Sequence, residues 1–291
     1  MTATVDQVVV GVPDPRLRPF VGRYLGYREY APRPLVRREV AGAFVVVILG
    51  WGAPLDVVDP RAASRGAYRV DSFVAGPFDA YCTTSTVGVG LGVQLLLTPP
   101  AARRILGVPL GELANRAVAV ERLPDAWLDR LRGRLAEAPD WPRRFALLDG
   151  AIGARLAATR PVDPRLGRAW RRLAGTGGRV GIGELADELG WSRRHLAVRF
   201  RQELGLAPKT TGRLLRFQRA YAAVGRSLAV PAPTPDEAGG EDRLGRPGGW
   251  AEFAVECGYY DQSHLIRDFG EFAGATPAAL ASSGSHSSNP G

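Results

Sequence analysis

The chain has 291 residues, 45% of them hydrophobic and 23% charged, which fits an ordinary globular protein of about two domains and excludes a disordered or collagen-like chain. Its two cysteines, Cys82 and Cys257, lie far apart and outside any Cys-x-x-Cys pair, which excludes a disulfide framework and a cysteine-rich zinc site. The net charge is +9, almost all of it arginine, while no apolar run approaches the ~18 residues of a membrane span and no signal-peptide pattern opens the chain, so a cytoplasmic protein without a membrane partner is expected.

Residues 1–100 read as mainly β. The stretches 41–52, 67–76 and 86–97 are rich in β-branched residues and are separated by turn signals such as Ala53-Pro54 and Asp59-Pro60. Gly88, Gly90 and Gly92 alternate with apolar residues, the pattern of a tightly curved or bulged strand. From residue 101 the pattern turns helical. Trp127, Leu128, Leu131 and Leu135 recur at helical spacing after Pro124-Asp125, and a second helix is predicted over Trp141–Thr159 with Phe145, Leu148, Ile152 and Leu156 on one face. These two helices either cover the β region or form a homodimer surface. Trp51, Tyr68, Phe73, Phe78 and Tyr81 either line the mouth of a barrel, as a site for a small, mainly apolar or uncharged effector, or pack its core. Pro161 and Pro164 mark a boundary, giving domains at 1–160 (β-rich 1–100, helical 101–160) and 164–282.

Beyond the boundary the charge concentrates. Residues 165–226 hold thirteen arginines and Lys209 against Glu184, Asp187, Glu188 and Glu203, a net +10 in one segment. That pattern suggests a polyanion partner, although all-arginine usage also fits a GC-rich genome.

The same region contains an internal repeat. Glu184, Ala186, Glu188 and Gly190 match Glu252, Ala254, Glu256 and Gly258. After one extra residue in the second copy, Ser192, His195, Leu196, Phe200, Gly205 and Pro208 match Asp261, His264, Leu265, Phe269, Gly274 and Pro277. Each copy reads as a short helix with a small alanine at a close crossing, a glycine turn, a Ser or Asp cap, and a second helix with Leu and Phe at i and i+4 facing a core. That is a helix-turn-helix, whose second helix can enter a DNA major groove. A linking helix from Lys209 to about Gly225 joins the copies. Residues 230–249, dense in Pro, Gly and acid, read as a disordered insertion between the units, and 283–291 as a disordered tail.

Two such units on one linking helix, closed by GLAP and GATP and carrying the string GYYDQSHLIRDF at 258–269, resemble the C-terminal domain of the AraC/XylS family of transcriptional regulators. The resemblance covers residues 164–282 and is loose in the N-terminal half. It implies an α+β chain: a β-rich, barrel-like domain with a helical extension, used for sensing or dimerisation, and an all-α DNA-binding domain. It implies a bacterial transcription regulator reading two successive major-groove segments of promoter DNA, with RNA polymerase as a further partner if it activates. Carried onto this sequence, the family's base contacts fall on Arg194, Ala197 and Val198 in the first unit, and on Ser263, Ile266 and Arg267, with Gln262 beside them, in the second. Arg193, Arg199 and Arg201 fit phosphate contacts. Ala197 and Val198 depart from the polar residues often found there.

An enzyme is not expected, and neither a cofactor nor a metal. All three histidines, His195, His264 and His286, lie in the C-terminal half, so residues 1–160 cannot supply a His-ligated metal or a Ser-His-Asp triad. Asp56, Asp59, Asp71 and Asp79 show no pairing in sequence, and no phosphate-binding glycine loop is present. Two alternatives stay open: an adaptor that associates with DNA without reading sequence, and a small-molecule enzyme fused to a DNA-binding domain.

Overall fold

The computed structural model describes residues 4–161, 163–229 and 248–282, so the expected disorder of 230–249, up to residue 247, and of the tail 283–291 lies outside the described residues. The N-terminal region is an antiparallel sheet of β1 (Thr4–Gly11), β2 (Val21–Glu39), β3 (Val45–Gly50), β4 (Leu55–Val58), β5 (Ala67–Val70), β6 (Phe73–Ala75), β7 (Cys82–Leu97) and β8 (Ala117–Ala119). The hydrogen-bonded path runs β1-β2-β7-β3-β6-β8, with β4 bridging β5 and β7. β7 is the hub. One edge pairs with β2, and the other pairs with β4 through Thr83–Thr86 and with β3 through Gly92–Leu97. Gly88, at φ 97°, sits where the ladder with β2 shifts register, and a Cβ at Gly92 would lie 2.8 Å from the Leu49 carbonyl oxygen. The expected irregularity of this strand is therefore present, and bare backbone at Gly92 lets β3 approach closely. The sheet is rolled like a barrel but left open, since β1 pairs with β2 alone and β8 with β6 alone.

The strands alternate between two cores, as the period of two requires. Val45, Val47 and Leu49 of β3 face a cluster shared with α1 (Pro99–Leu106), α2 (Trp127–Glu137) and α3 (Trp141–Ala158). Ile48 and its neighbour Val46 face the other side with Phe73 and Val57. Leu128, Leu131, Leu135, Leu148 and Ile152 are all spent on the first cluster, each worth about 1.5–3 kcal/mol of burial. The helical pair thus covers the sheet.

The C-terminal region is all helix: α4 (Pro164–Gly175), α5 (Ile182–Glu188), α6 (Arg193–Leu204), α7 (Pro208–Ala229), α8 (Gly249–Glu256), α9 (Gln262–Ala273) and α10 (Pro277–Ser282). The fold is therefore α+β, as expected. Its core includes Ala41 and Ala43 from the N-terminal region, so the two regions share one apolar cluster. The contact continues at α6 and α9. Arg103 of α1 donates to Glu203 at 2.7 Å near the end of α6, and the Ala41 N–H donates to the Phe272 carbonyl near the end of α9 at 2.8 Å. Arg38 donates to the Gly274 carbonyl at 2.9 Å.

Candidate nucleic-acid interface

The repeat seen in the sequence is reproduced bond by bond. In the first unit the Trp191 N–H donates to the Ala186 carbonyl at 2.9 Å; in the second the Tyr259 N–H donates to Ala254 at 2.9 Å. Gly190 and Gly258 turn the chain at φ 65° and 87°, a region that disfavours side chains. Ser192 then caps α6 by accepting from the His195 N–H at 3.1 Å, and Asp261 caps α9 by accepting from His264 at 2.8 Å. Each histidine stands three residues after a cap, and its backbone is what matters there. The His195 ring lies edge-on to Trp191, 4.8 Å between centroids. Among the described residues no group of three metal-ligating side chains comes together.

Leu196, Phe200, Leu265 and Phe269 are fully buried, which fixes the outward faces of α6 and α9. α7 lies between the units, with Phe217 packed 5.0 Å from Phe269 and 5.4 Å from Phe272, centroid to centroid. Two arginines of α7 are used inside the protein. Arg213 donates to Asp268 and to Glu271, each at 2.6 Å, and Arg216 donates to the Gly178 carbonyl at 3.1 Å. Partial burial alone would lower the Arg213 pKa; its two carboxylate partners outweigh this and raise it. Arg172 of α4 likewise pairs with Glu184 and Glu188 of α5. Three of the fourteen cations counted in the segment, Arg172, Arg213 and Arg216, therefore hold elements of the fold together.

The expected site residues fall into two sets. Arg193, Arg194, Arg201, Gln262, Ser263 and Arg267 are exposed on the outward faces. None of the four arginines in that set makes an ion pair or side-chain hydrogen bond among the described residues. Val198 and Ile266 are exposed apolar residues on the same faces, and Ala197 is half-buried. Arg199 differs: it is half-buried and lies 3.5 Å from Glu203, the carboxylate that Arg103 also holds. Tyr260, 87% exposed, was not singled out from sequence. It is the extra residue of the longer second turn, so the one-residue offset between the copies was its signal.

A second feature lies under the sheet. A cavity of about 440 Å³ is lined by Phe44, Ile48, Phe73 and Phe78, and by Gln218 from α7. In its wall Glu29 is buried and bidentately bound by Arg37, whose Nη1 donates to Oε2 at 2.8 Å. Burial pushes the Cys82 thiol up to about 12, which keeps it neutral. Of the five aromatics expected at a barrel mouth, Phe73 and Phe78 line this cavity. Trp51 instead packs near Trp141, Tyr68 donates to the Ala63 carbonyl at 3.1 Å, and Tyr81 lies under Arg38. The carboxylates unpaired in sequence are tied down: Asp59 and Asp79 by Arg61, Asp71 by Arg132, and Asp56 by the Arg69 N–H. No helix among the described residues is long and apolar enough to cross a membrane.

The sequence matches no protein-family model, and no curated protein is significantly similar to it. Solved structures that align with the chain include ToxT from Vibrio cholerae, at 9% identity over 89% of this chain and 97% of that chain, TM-score 0.46. An unsaturated fatty acid-bound ToxT from strain SCE256 aligns at 8% identity over 96% of each chain, TM-score 0.44. The AraC-like transcriptional activator CuxR aligns at 18% identity over 74% of this chain and 87% of that chain, TM-score 0.31. All these TM-scores lie below 0.5, so the reading of the site rests on its own geometry.

Proposed function

We propose that the chain is a transcription regulator of the AraC type, binding promoter DNA in a sequence-specific way. The observation that carries this reading is the duplicated helix-turn-helix on one continuous helix, each unit holding unpaired arginine on an outward face. α6 and α9 enter two successive major-groove segments about one helical turn apart. Arg194 and Arg267 read guanine edges bidentately, Gln262 reads adenine, and Ser263 accepts or donates beside it. Ala197, Val198 and Ile266 meet thymine methyls. Arg193 and Arg201 hold phosphates, and Arg199 assists only where it leaves Glu203.

The N-terminal region holds a small effector in the cavity under the sheet. The Glu29–Arg37 pair already compensates its own charge, which favours a mainly apolar, uncharged molecule. Gln218 gives that molecule direct access to the linking helix. This is a regulator and not an enzyme, and RNA polymerase is the further partner if it activates. Selection of fragments from the source genome by the purified chain, followed by footprinting, tests the reading. Two protected segments about one turn apart are expected; uniform, sequence-blind protection would sink it. That second outcome supports the adaptor reading, which the apolar pair Ala197 and Val198 favours.

A further inference from the structure

The two units share a fold but not a charge. With Leu196 matched to Leu265 and Phe200 to Phe269, α6 and α9 stand in residue-for-residue register. Every arginine of α6 then meets a residue without positive charge on α9. Arg193 meets Gln262, Arg194 meets Ser263, Arg199 meets Asp268, and Arg201 meets Gly270. Only Arg267 restores a cation, at the register of Val198. α6 carries four arginines against Glu203, a net +3; α9 carries Arg267 against Asp268 and Glu271, a net −1. The packing sharpens the contrast. Asp268 is buried and, with Glu271, takes Arg213 out of the linking helix, so the second unit also consumes a cation.

Sequence-independent affinity for DNA comes from phosphates neutralised by Lys and Arg, each contributing about 0.9 to the slope of log affinity against log salt. Given the DNA-binding reading above, we infer that the first unit supplies this affinity for the whole molecule. The second unit contacts DNA through neutral donors, the Gln262 amide and the Ser263 and Tyr260 hydroxyls, and through Arg267. It adds sequence preference and little salt-sensitive binding.

The test is the salt slope of the full chain on one selected duplex, for the parent, the Arg193→Ala/Arg201→Ala double variant, and Gly270→Arg. Gly270 is exposed on a helix and a Cβ there meets no atom within 4 Å, so arginine enters without a clash and with better helix propensity. Melting temperatures check that all three chains fold. The double variant should lose about two units of slope and bind at least about tenfold more weakly to any sequence. Gly270→Arg should gain about one unit of slope, because it gives α9 the phosphate contact that Arg201 gives α6. A double variant with the parent slope overturns the inference, and so does a Gly270→Arg chain whose slope does not move. Failure of the parent to bind any duplex at about 50 mM salt would sink the DNA-binding reading itself.

Discussion

Arg267 and Asp59 illustrate what a single side chain does here. Arg267 is exposed, unpaired among the described residues, and the sole cation of α9. Arg267→Ala should cost about 1–3 kcal/mol of DNA affinity and relax preference at one base pair. Selection from a randomised site measures it; an unchanged preference refutes the bidentate role. Asp59 is 1% exposed and holds Arg61 and Arg65. Burial alone would raise its pKa, but the Arg61 hydrogen bonds and the two positive charges outweigh that and hold it below 3.8. A depressed carboxylate stabilises the fold at pH values above its unfolded pKa, and that share is lost as pH falls through the folded value. Stability should therefore drop on acidification below about pH 4, and Asp59→Asn should remove that part of the drop while lowering stability at neutral pH. Urea melts at a series of pH values check both.

Among the elements, α9 depends most on a partner. Arg213→Ala leaves Asp268 buried without its guanidinium and should destabilise the C-terminal helices by about 2–3 kcal/mol; Arg213→Lys should rescue only part, since an ammonium cannot hold two carboxylates in the same fork. Thermal melts of the three chains decide this. The helical half was legible in the sequence because its signals are local. A glycine turn, a cap three residues before a histidine and a Leu-Phe pair each need only a few neighbouring residues, and they occur twice. β2 was hidden by its own composition. It lies outside the three β-branched stretches, and its Pro32 and Pro34 fall between the Ala31–Gly88 and Leu35–Thr86 pairs, where the ladder lapses and no N–H is needed. Nor could sequence separate free arginines from committed ones. Arg213 and Arg267 look alike until the carboxylates around each are known.

At the scale of the whole molecule, the two regions share one apolar cluster. Ala41 and Ala43 are buried in the core of the helical region, and Phe44 packs edge-on to Trp170 at 5.5 Å. Ala43→Glu places an unpaired charge there and should split a single calorimetric unfolding transition into two; one transition with an unchanged midpoint would refute the shared core. The same joint fixes a length. α6 and α9 are each held near their C-terminal ends by the sheet domain, through Glu203 and through Phe272 and Gly274, and α7 ties them from between. Among the described residues these contacts brace α6 and α9 against the same N-terminal region. One base pair inserted between the half-sites shifts the second by about 3.4 Å and rotates it by roughly 35°. If the chain binds DNA as proposed, it acts as a ruler as well as a reader. Operators that keep both half-sites but alter the gap by a single base pair should be bound by one unit only, and those with a five-base-pair insertion should present their second half-site on the far side of the duplex, out of reach.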